Sequence, residues 1–304
     1  MGLIVFLCFF LSGASGLLFE VLWTRELGLV FGSTTLAIST VLSVFMGGLA
    51  AGSYLGGRLC EWGRPRWLLD KPLRAYALFE AGVGIFALSV PKWLSYYPQV
   101  NGFLWRHVGD HYAALSLLRF VATAALLLLP TTLMGATLPL LSQHMSLQKK
   151  RGLHTVAVSI GALFSANTSG AVLGTFLSGF ILLPRLGVTA TNYVGAITNL
   201  SLSAIILVGD FYFSRRAERL TAKQLSDETA AETANEKGAA DESGDAIAAL
   251  PVELPSAGQR RLAVGCYAVS GGTAMVYQVL WTRALAVVLG SSVYSFTLIL
   301  LAFL

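Results

Sequence analysis

The chain has 304 residues, of which 55% are apolar and only 12% charged, far below the roughly 25% charged residues of a soluble domain. Residues 210–261 hold 17 of the 37 charged side chains, so 20 remain for the other 252 positions. That remainder cannot coat a water-facing surface, which excludes a soluble enzyme and leaves lipid as the solvent for the apolar runs.

The net charge of +5 does not point to nucleic acid. The basic residues fall in short clusters between apolar runs, the pattern of cytoplasmic loops. A helix that crosses a bilayer core of about 30 Å needs about 20 mostly apolar residues. Runs of this kind predict spans near 2–24, 34–57, 73–95, 113–141, 155–183, 188–209 and 262–289. The expected fold is all-α, a polytopic transmembrane bundle of about seven spans plus a partial eighth.

The first run resembles a signal peptide over Met1–Gly16, but it lacks a basic start, so it is read as a span. It carries Glu20 near its outer end, followed by Trp23 at a position suited to an interfacial anchor and by Arg25 at the headgroups. In the second run Gly48, Gly52 and Gly56 share one helix face, which predicts close backbone packing. Arg58, Arg64, Arg66, Lys71 and Arg74 follow it.

Glu80 lies some seven residues into the third span, about 10 Å from its start at 1.5 Å per residue. A charge at mid-membrane costs about 2.5–3.5 kcal/mol on insertion scales, so Glu80 is expected to face the bundle interior. Its alternatives are substrate or proton coupling, a structural salt bridge, or a snorkelling carboxylate. The fourth span places Arg119 about 9 Å from the outer face. Pro130 and Pro139 are expected to bracket its kinked end, where freed carbonyls line a path. Lys149, Lys150 and Arg151 follow. Asn167 in the fifth span and Asn199 in the sixth come closest to mid-membrane, about 16–18 Å from a face. Each amide predicts an inter-helix hydrogen bond or a substrate contact. Gly170 and Gly174 repeat the four-residue packing spacing.

Residues 210–261 are rich in Ala and acidic side chains and hold almost no aromatics after Phe213. Such a segment cannot bury a core and is expected to be a flexible or partly helical tether. The connections that would lie outside hold only Arg25, Lys92, Arg106 and Arg185. This asymmetry places the amino terminus and the tether in the cytoplasm.

The segment after the tether restarts the first. Residues 8–46 and 266–304 align without a gap at an offset of 258, matching Val21-Leu22-Trp23-Thr24-Arg25 with Val279-Leu280-Trp281-Thr282-Arg283. Ser12-Gly13 matches Ser270-Gly271, and Gly32-Ser33 matches Gly290-Ser291. Residues 1–209 thus read as a six-helix half and 262–304 as the start of a second. Gln278 is the counterpart of Glu20; if the halves pack about a pseudo-twofold axis both border a central cavity, where the carboxylate attracts a cation such as a polyamine, and the alternative is an interfacial polar residue beside the tryptophan. The last run, Val293–Leu304, spans only about 18 Å, so the chain is expected to stop inside an eighth span and to be part of a longer protein. Parallel six-helix halves joined by a tether are the layout of major-facilitator transporters.

Cys8, Cys60 and Cys266 have no metal-ligand spacing, and neither paired carboxylates nor a histidine cluster stands at catalytic spacing. The sequence predicts no metal, no cofactor and no catalytic residue within this chain.

Three strings carry more than composition. They are the opening Ser12-Gly13…Val21-Leu22-Trp23-Thr24-Arg25…Gly32-Ser33, then Pro130-Thr-Thr-Leu-Met134-Gly135-Ala-Thr-Leu-Pro139, and the run from Gly161 through Asn167, Gly170 and Gly174 to Gly179-Phe-Ile-Leu-Leu-Pro184-Arg185-Leu-Gly187. Together they resemble the membrane domain of the fused major-facilitator/spermidine synthase-like proteins of bacteria. Gly52-Ser-Tyr-Leu-Gly56-Gly57-Arg58, followed by Gly63-Arg64-Pro65-Arg66, is similar to the major-facilitator signature loop, though it is longer and lacks the usual Asp. The resemblance implies a multi-pass protein of the bacterial cytoplasmic membrane. It implies a polyamine or other small cation as ligand and, in complete members, a Rossmann-like aminopropyltransferase domain. No residue of that domain has a counterpart here. Glu20, Glu80, Arg119, Asn167, Asn199 and Gln278 are the candidate pathway residues of a transporter-like domain. The alternative is a non-transporting anchor or sensor for an attached or partner aminopropyltransferase.

Overall fold

The computed structural model describes residues 2–31, 34–62, 71–109, 111–147, 153–232, 256–290 and 292–304. Gly32, Ser33, Ser291, the Gly63–Arg66 part of the signature-like loop, the Lys149–Arg151 cluster and the acidic tether from Glu236 to Asp245 lie outside them.

Every regular element among the described residues is helical. In chain order these are α1 (Gly2–Phe31), α2 (Thr34–Trp62), α3 (Pro72–Val108), α4 (Tyr112–Ser146), α5 (Leu153–Phe176), a π-helical segment (Leu177–Leu182), α6 (Leu183–Glu232), α7 (Ala257–Leu289) and α8 (Ser292–Phe303). Among the described residues six stretches are long and apolar enough to cross a membrane, and Val293–Phe303 is a shorter apolar helix. One of the six, Val156–Tyr212, has 57 residues, or about 85 Å as helix, too long for one crossing. Gly187 divides it. Its φ of 75° and ψ of 179° interrupt the helix in a region of backbone space that only glycine occupies readily. The next helix then begins with Thr191 donating its hydroxyl to the Gly187 carbonyl at 2.6 Å. Apolar spacing in the sequence divides the chain at the same place.

The protein is a polytopic helical membrane bundle. Large apolar side chains such as Ile85, Leu117, Val208 and Val287 stand more than half exposed on its helices. Water would penalise such surfaces and lipid does not.

The chain divides into two compact units, Met1–Asp210 with Gln278–Leu304, and Phe211–Tyr277. In the second unit the helix runs on through Glu232, so the start of the expected tether is helical. The start of α7 is set by a capping box, in which Ser256 and Gln259 exchange backbone-to-side-chain hydrogen bonds of 2.8 and 3.3 Å.

Within the first unit two helix pairs pack most closely, α2 with α4 and α1 with α5. Both are built on glycine. A Cβ on Gly48, Gly52 or Gly56 would run into Thr131, Thr132 or Ala136, and one on Gly135 would run into Leu49. A Cβ on Gly170 or Gly174 would meet the backbone of Phe10 or Ala14, and one on Gly13 would meet Asn167. Small residues let backbones approach in lipid, where no hydrophobic force drives helices together.

Two expectations are corrected here. Trp23 is not an interfacial anchor: it is 1% exposed, stacked on Phe19 at 5.1 Å and tilted against Phe45 at 6.3 Å. α2 covers the outer part of α1 and takes the ring out of reach of headgroups. Pro130 and Pro139 do not bracket a helix end either, because α4 continues through both to Ser146. A neighbouring helix satisfies the carbonyl that Pro139 frees.

Candidate functional site

A cavity of about 190 Å³ opens between α1, α2, α4, α5 and α6. Gly13, Gly16 and Gly135 are part of its lining. Its polar atoms come from Ser12, Ser53, Thr137, Asn167 and Asn199, and no Lys, Arg or His lines it. The rest of the wall is apolar and includes the rings of Phe9, Phe45 and Phe164. A volume of this size admits several waters or a small organic molecule.

Glu80 stands beside this cavity rather than in its lining. The Ser12 hydroxyl, which does line it, donates to Glu80 Oε1 at 2.5 Å and joins α1 to α3. Tyr76, one turn before Glu80 on the same helix, is buried against Phe9 with its hydroxyl beside the Ser12 and Glu80 side chains. Glu80 is buried and joins no ion pair among the described residues, where Arg74 pairs with Asp210. Of the alternatives open for Glu80, neither the salt bridge nor the snorkelling carboxylate matches this placement.

Glu20 is buried more completely. Both of its carboxylate oxygens lack a hydrogen-bond partner, as does the Thr24 hydroxyl one turn further along α1. Gly13, Gly16 and Glu20 fall at i, i+3 and i+7 of one helix face, so Glu20 continues the side of α1 that lines the cavity. The repeat makes this informative. Leu22 and Trp23 are each 1% exposed on α1, whereas their counterparts Leu280 and Trp281 are 57% and 53% exposed on α7. Gln278 and Thr282 are each 1% exposed, like Glu20 and Thr24 at 0% and 6%. The two copies share a buried polar stripe and differ in their apolar one. The Gln278 amide nitrogen has no partner, and Gln278 is not part of this cavity's lining.

The other candidates divide. Asn167 and Asn199 both line the cavity, and the Asn199 Oδ1 is buried without a partner. Arg119 lies away from it, at the α3–α4 contact, where its Nε donates to Asn101 Oδ1 at 2.9 Å. That geometry ties two helices together and contributes nothing to the cavity.

Three further relationships escaped the sequence reading. Pro139 has no N–H to give the carbonyl of Gly135, four residues back, and the Ser53 hydroxyl of α2 donates to that carbonyl at 3.1 Å. Asn192 is buried and donates its side-chain amide to the Ala87 carbonyl of α3 at 2.6 Å. Arg74 and Asp210 join the start of α3 to α6 at 2.5 Å. Only Asn192 carried a usable signal, as an amide within an apolar span.

Chemically the site offers hydrogen-bond acceptors, an apolar and aromatic wall and two buried carboxylates without cationic partners. Among the described residues no group of three His, Cys, Asp or Glu side chains stands together. Comparison of the chain with protein-family models, with curated proteins and with solved structures finds no match.

Proposed function

We propose that this chain is the transporter-like membrane domain of a spermidine synthase-like, polyamine-associated protein of the bacterial cytoplasmic membrane. The observation that carries the reading is the placement of Glu80 and Glu20, buried without ion pairs, beside and beyond a cavity free of basic residues. An uncompensated carboxylate in lipid is costly, so proteins retain one there when a cation or proton visits it. Lysine and arginine are concentrated in alternate connections, which supports a cytoplasmic amino terminus and tether.

Helix pairing adds support. Exchanging the first three helices with the next three turns the α1–α5 pair into the α4–α2 pair, and it turns the α1–α2 contact into α4–α5. The glycines follow the same exchange. Gly48, Gly52 and Gly56 of α2 correspond to Gly170 and Gly174 of α5, and Gly135 of α4 corresponds to Gly13 of α1. Inverted three-helix repeats nested in a six-helix half belong to the major-facilitator plan, in which rocking of halves moves a substrate.

The test is uptake of labelled putrescine and spermidine into proteoliposomes holding the full-length protein. Accumulation above protein-free vesicles is expected, and it should fall at least several-fold in Glu80→Gln and Glu20→Gln. Uptake equal to that of empty vesicles for every polyamine would reject transport and leave the anchor for an aminopropyltransferase.

A further inference from the structure

A second pocket, of about 240 Å³, lies at the end of the spans away from Arg74 and Asp210, and none of the candidate pathway residues lines it. α1 contributes Trp23 and Glu26 to its wall, α3 contributes Pro91 and Ser95, and α6 contributes Thr189 and Asn192. On each helix the lining residues fall within about 8 Å along the axis, so three helices share one space. The pocket and the central cavity have no lining residue in common. Phe19, buried and stacked on Trp23 at 5.1 Å, occupies the side of α1 between them.

The polar atoms of this pocket are mostly acceptors. Pro91 has no N–H for the Ala87 carbonyl four residues back, and the Asn192 amide nitrogen donates to that carbonyl at 2.6 Å. This bond sets the orientation of the amide and leaves Asn192 Oδ1, which has no partner, as an acceptor. The Ser95 hydroxyl gives its hydrogen to the Lys92 carbonyl at 2.7 Å, so its oxygen can only accept from a ligand. Glu26 adds a carboxylate that joins no ion pair among the described residues. Arg25, next to it in the chain, lines a different groove, and the lining of this pocket holds no Lys, Arg or His. Against these acceptors stands the Trp23 indole N–H, a donor without a partner.

We infer that this pocket binds the primary ammonium group of a short amino alcohol, either a free amine or the ethanolamine headgroup of a lipid. An ammonium group brings three N–H donors and one charge, which suit Glu26, Asn192 Oδ1 and Ser95 Oγ. The oxygen at the other end of such a molecule accepts from the Trp23 N–H, and a metal ion would leave that N–H unused. The volume exceeds what one water fills, so the cation carries an organic body. A quaternary ammonium has no N–H and would leave the acceptors unpaired. The apolar stretches of α1 and α3 end at Leu29 and Trp93, which puts the pocket at headgroup level, within reach of water and of lipid headgroups. The inference does not rest on the polyamine reading, because it concerns a separate pocket and binding alone.

The experiment uses the full-length protein in phosphatidylcholine nanodiscs at neutral pH, with ethanolamine hydrochloride titrated against choline chloride at equal ionic strength. The two amines differ only in the methyl groups on nitrogen. Saturation-transfer NMR of the added amine reads binding directly, and melting temperature reads its linkage to folding. Saturable binding of ethanolamine is expected, with a rise of about 2–4 °C at saturation and choline at least tenfold weaker. Glu26→Gln should weaken ethanolamine binding at least tenfold and Ser95→Ala several-fold, while Glu61→Gln at the exposed end of α2 leaves it unchanged. Ser95 is exposed, so Ser95→Ala keeps the test open should Glu26→Gln fail to fold. A second arm replaces phosphatidylcholine with phosphatidylethanolamine and adds no free amine. A rise in melting temperature there that Glu26→Gln loses assigns the lipid headgroup as the source, and its absence beside binding of free ethanolamine assigns the soluble amine. Equal binding of choline and ethanolamine, undiminished binding in both pocket variants, or no response in either arm would each overturn the inference.

Discussion

A methyl group on Gly174 would sit inside the backbone of Ala14, and that relationship sets the distance between α5 and α1. Overpacking a close contact costs about 1–3 kcal/mol, and a backbone cannot swing aside as a side chain can. Gly174→Ala is therefore expected to destabilise the bundle by that amount. Gly52, against the Thr132 carbonyl, should behave alike. α2 supplies its own control: Gly47 and Gly57 have nothing within 4 Å of a built Cβ, so Ala there should be neutral or slightly stabilising. Thermal unfolding of Gly48→Ala beside Gly47→Ala in the same detergent checks the pairing. Equal melting temperatures would refute it.

The hydrogen bond from Ser12 to Glu80 yields a second expectation. Ser12→Ala deprives a buried carboxyl group of a donor, which costs about 1–3 kcal/mol. Glu80→Gln keeps an acceptor for Ser12 and should cost less. In the double variant the two losses should fall short of their sum, since Ser12→Ala removes the interaction that Glu80→Gln only weakens. Denaturant midpoints for the four proteins of the cycle decide this. Additive losses would place the two side chains out of contact.

Much of this architecture could be read along the chain, because its causes are local. Apolar runs near 20 residues give the spans, and glycines at every fourth position announce the contacts of Gly52 and Gly174. The break at Gly187 follows from the length of the apolar stretch around it. What escaped has distant causes. Ser12 is one hydroxyl among small residues, and nothing near it in the sequence says that Glu80 stands opposite. Trp23 and Trp281 lie in identical strings, yet only Trp23 is covered, because burial depends on which helices arrive beside each. Pro139 looked like a helix end for a related reason. The serine that compensates it lies 86 positions earlier, on another helix.

That compensation is testable by itself. Ser53→Ala should leave the Gly135 carbonyl without a donor and cost about 1 kcal/mol or more. Pro139→Ala restores an N–H within reach of the same carbonyl, so it should be neutral or stabilising by itself. The two together should recover most of the loss caused by Ser53→Ala. Melting temperatures of the three variants provide the measurement, and a double variant as unstable as Ser53→Ala would rule the coupling out.

The boundary between the fifth and sixth crossings rests on Gly187. At φ 75° and ψ 179° any other residue is strained by about 1–3 kcal/mol, and space is not the obstacle, since nothing lies within 4 Å of a built Cβ. Gly187→Ala should lower stability through backbone strain alone. Gly209, on the same helix and equally open, has ordinary helical geometry, so Gly209→Ala should stabilise slightly by improving helix propensity. The opposed signs separate strain from crowding, because neither site is crowded. If Gly187→Ala matched Gly209→Ala in thermal unfolding, the chain would have to pass from one crossing to the next without a break there, and a single helix of about 85 Å would be left to fit a bilayer of about 30 Å.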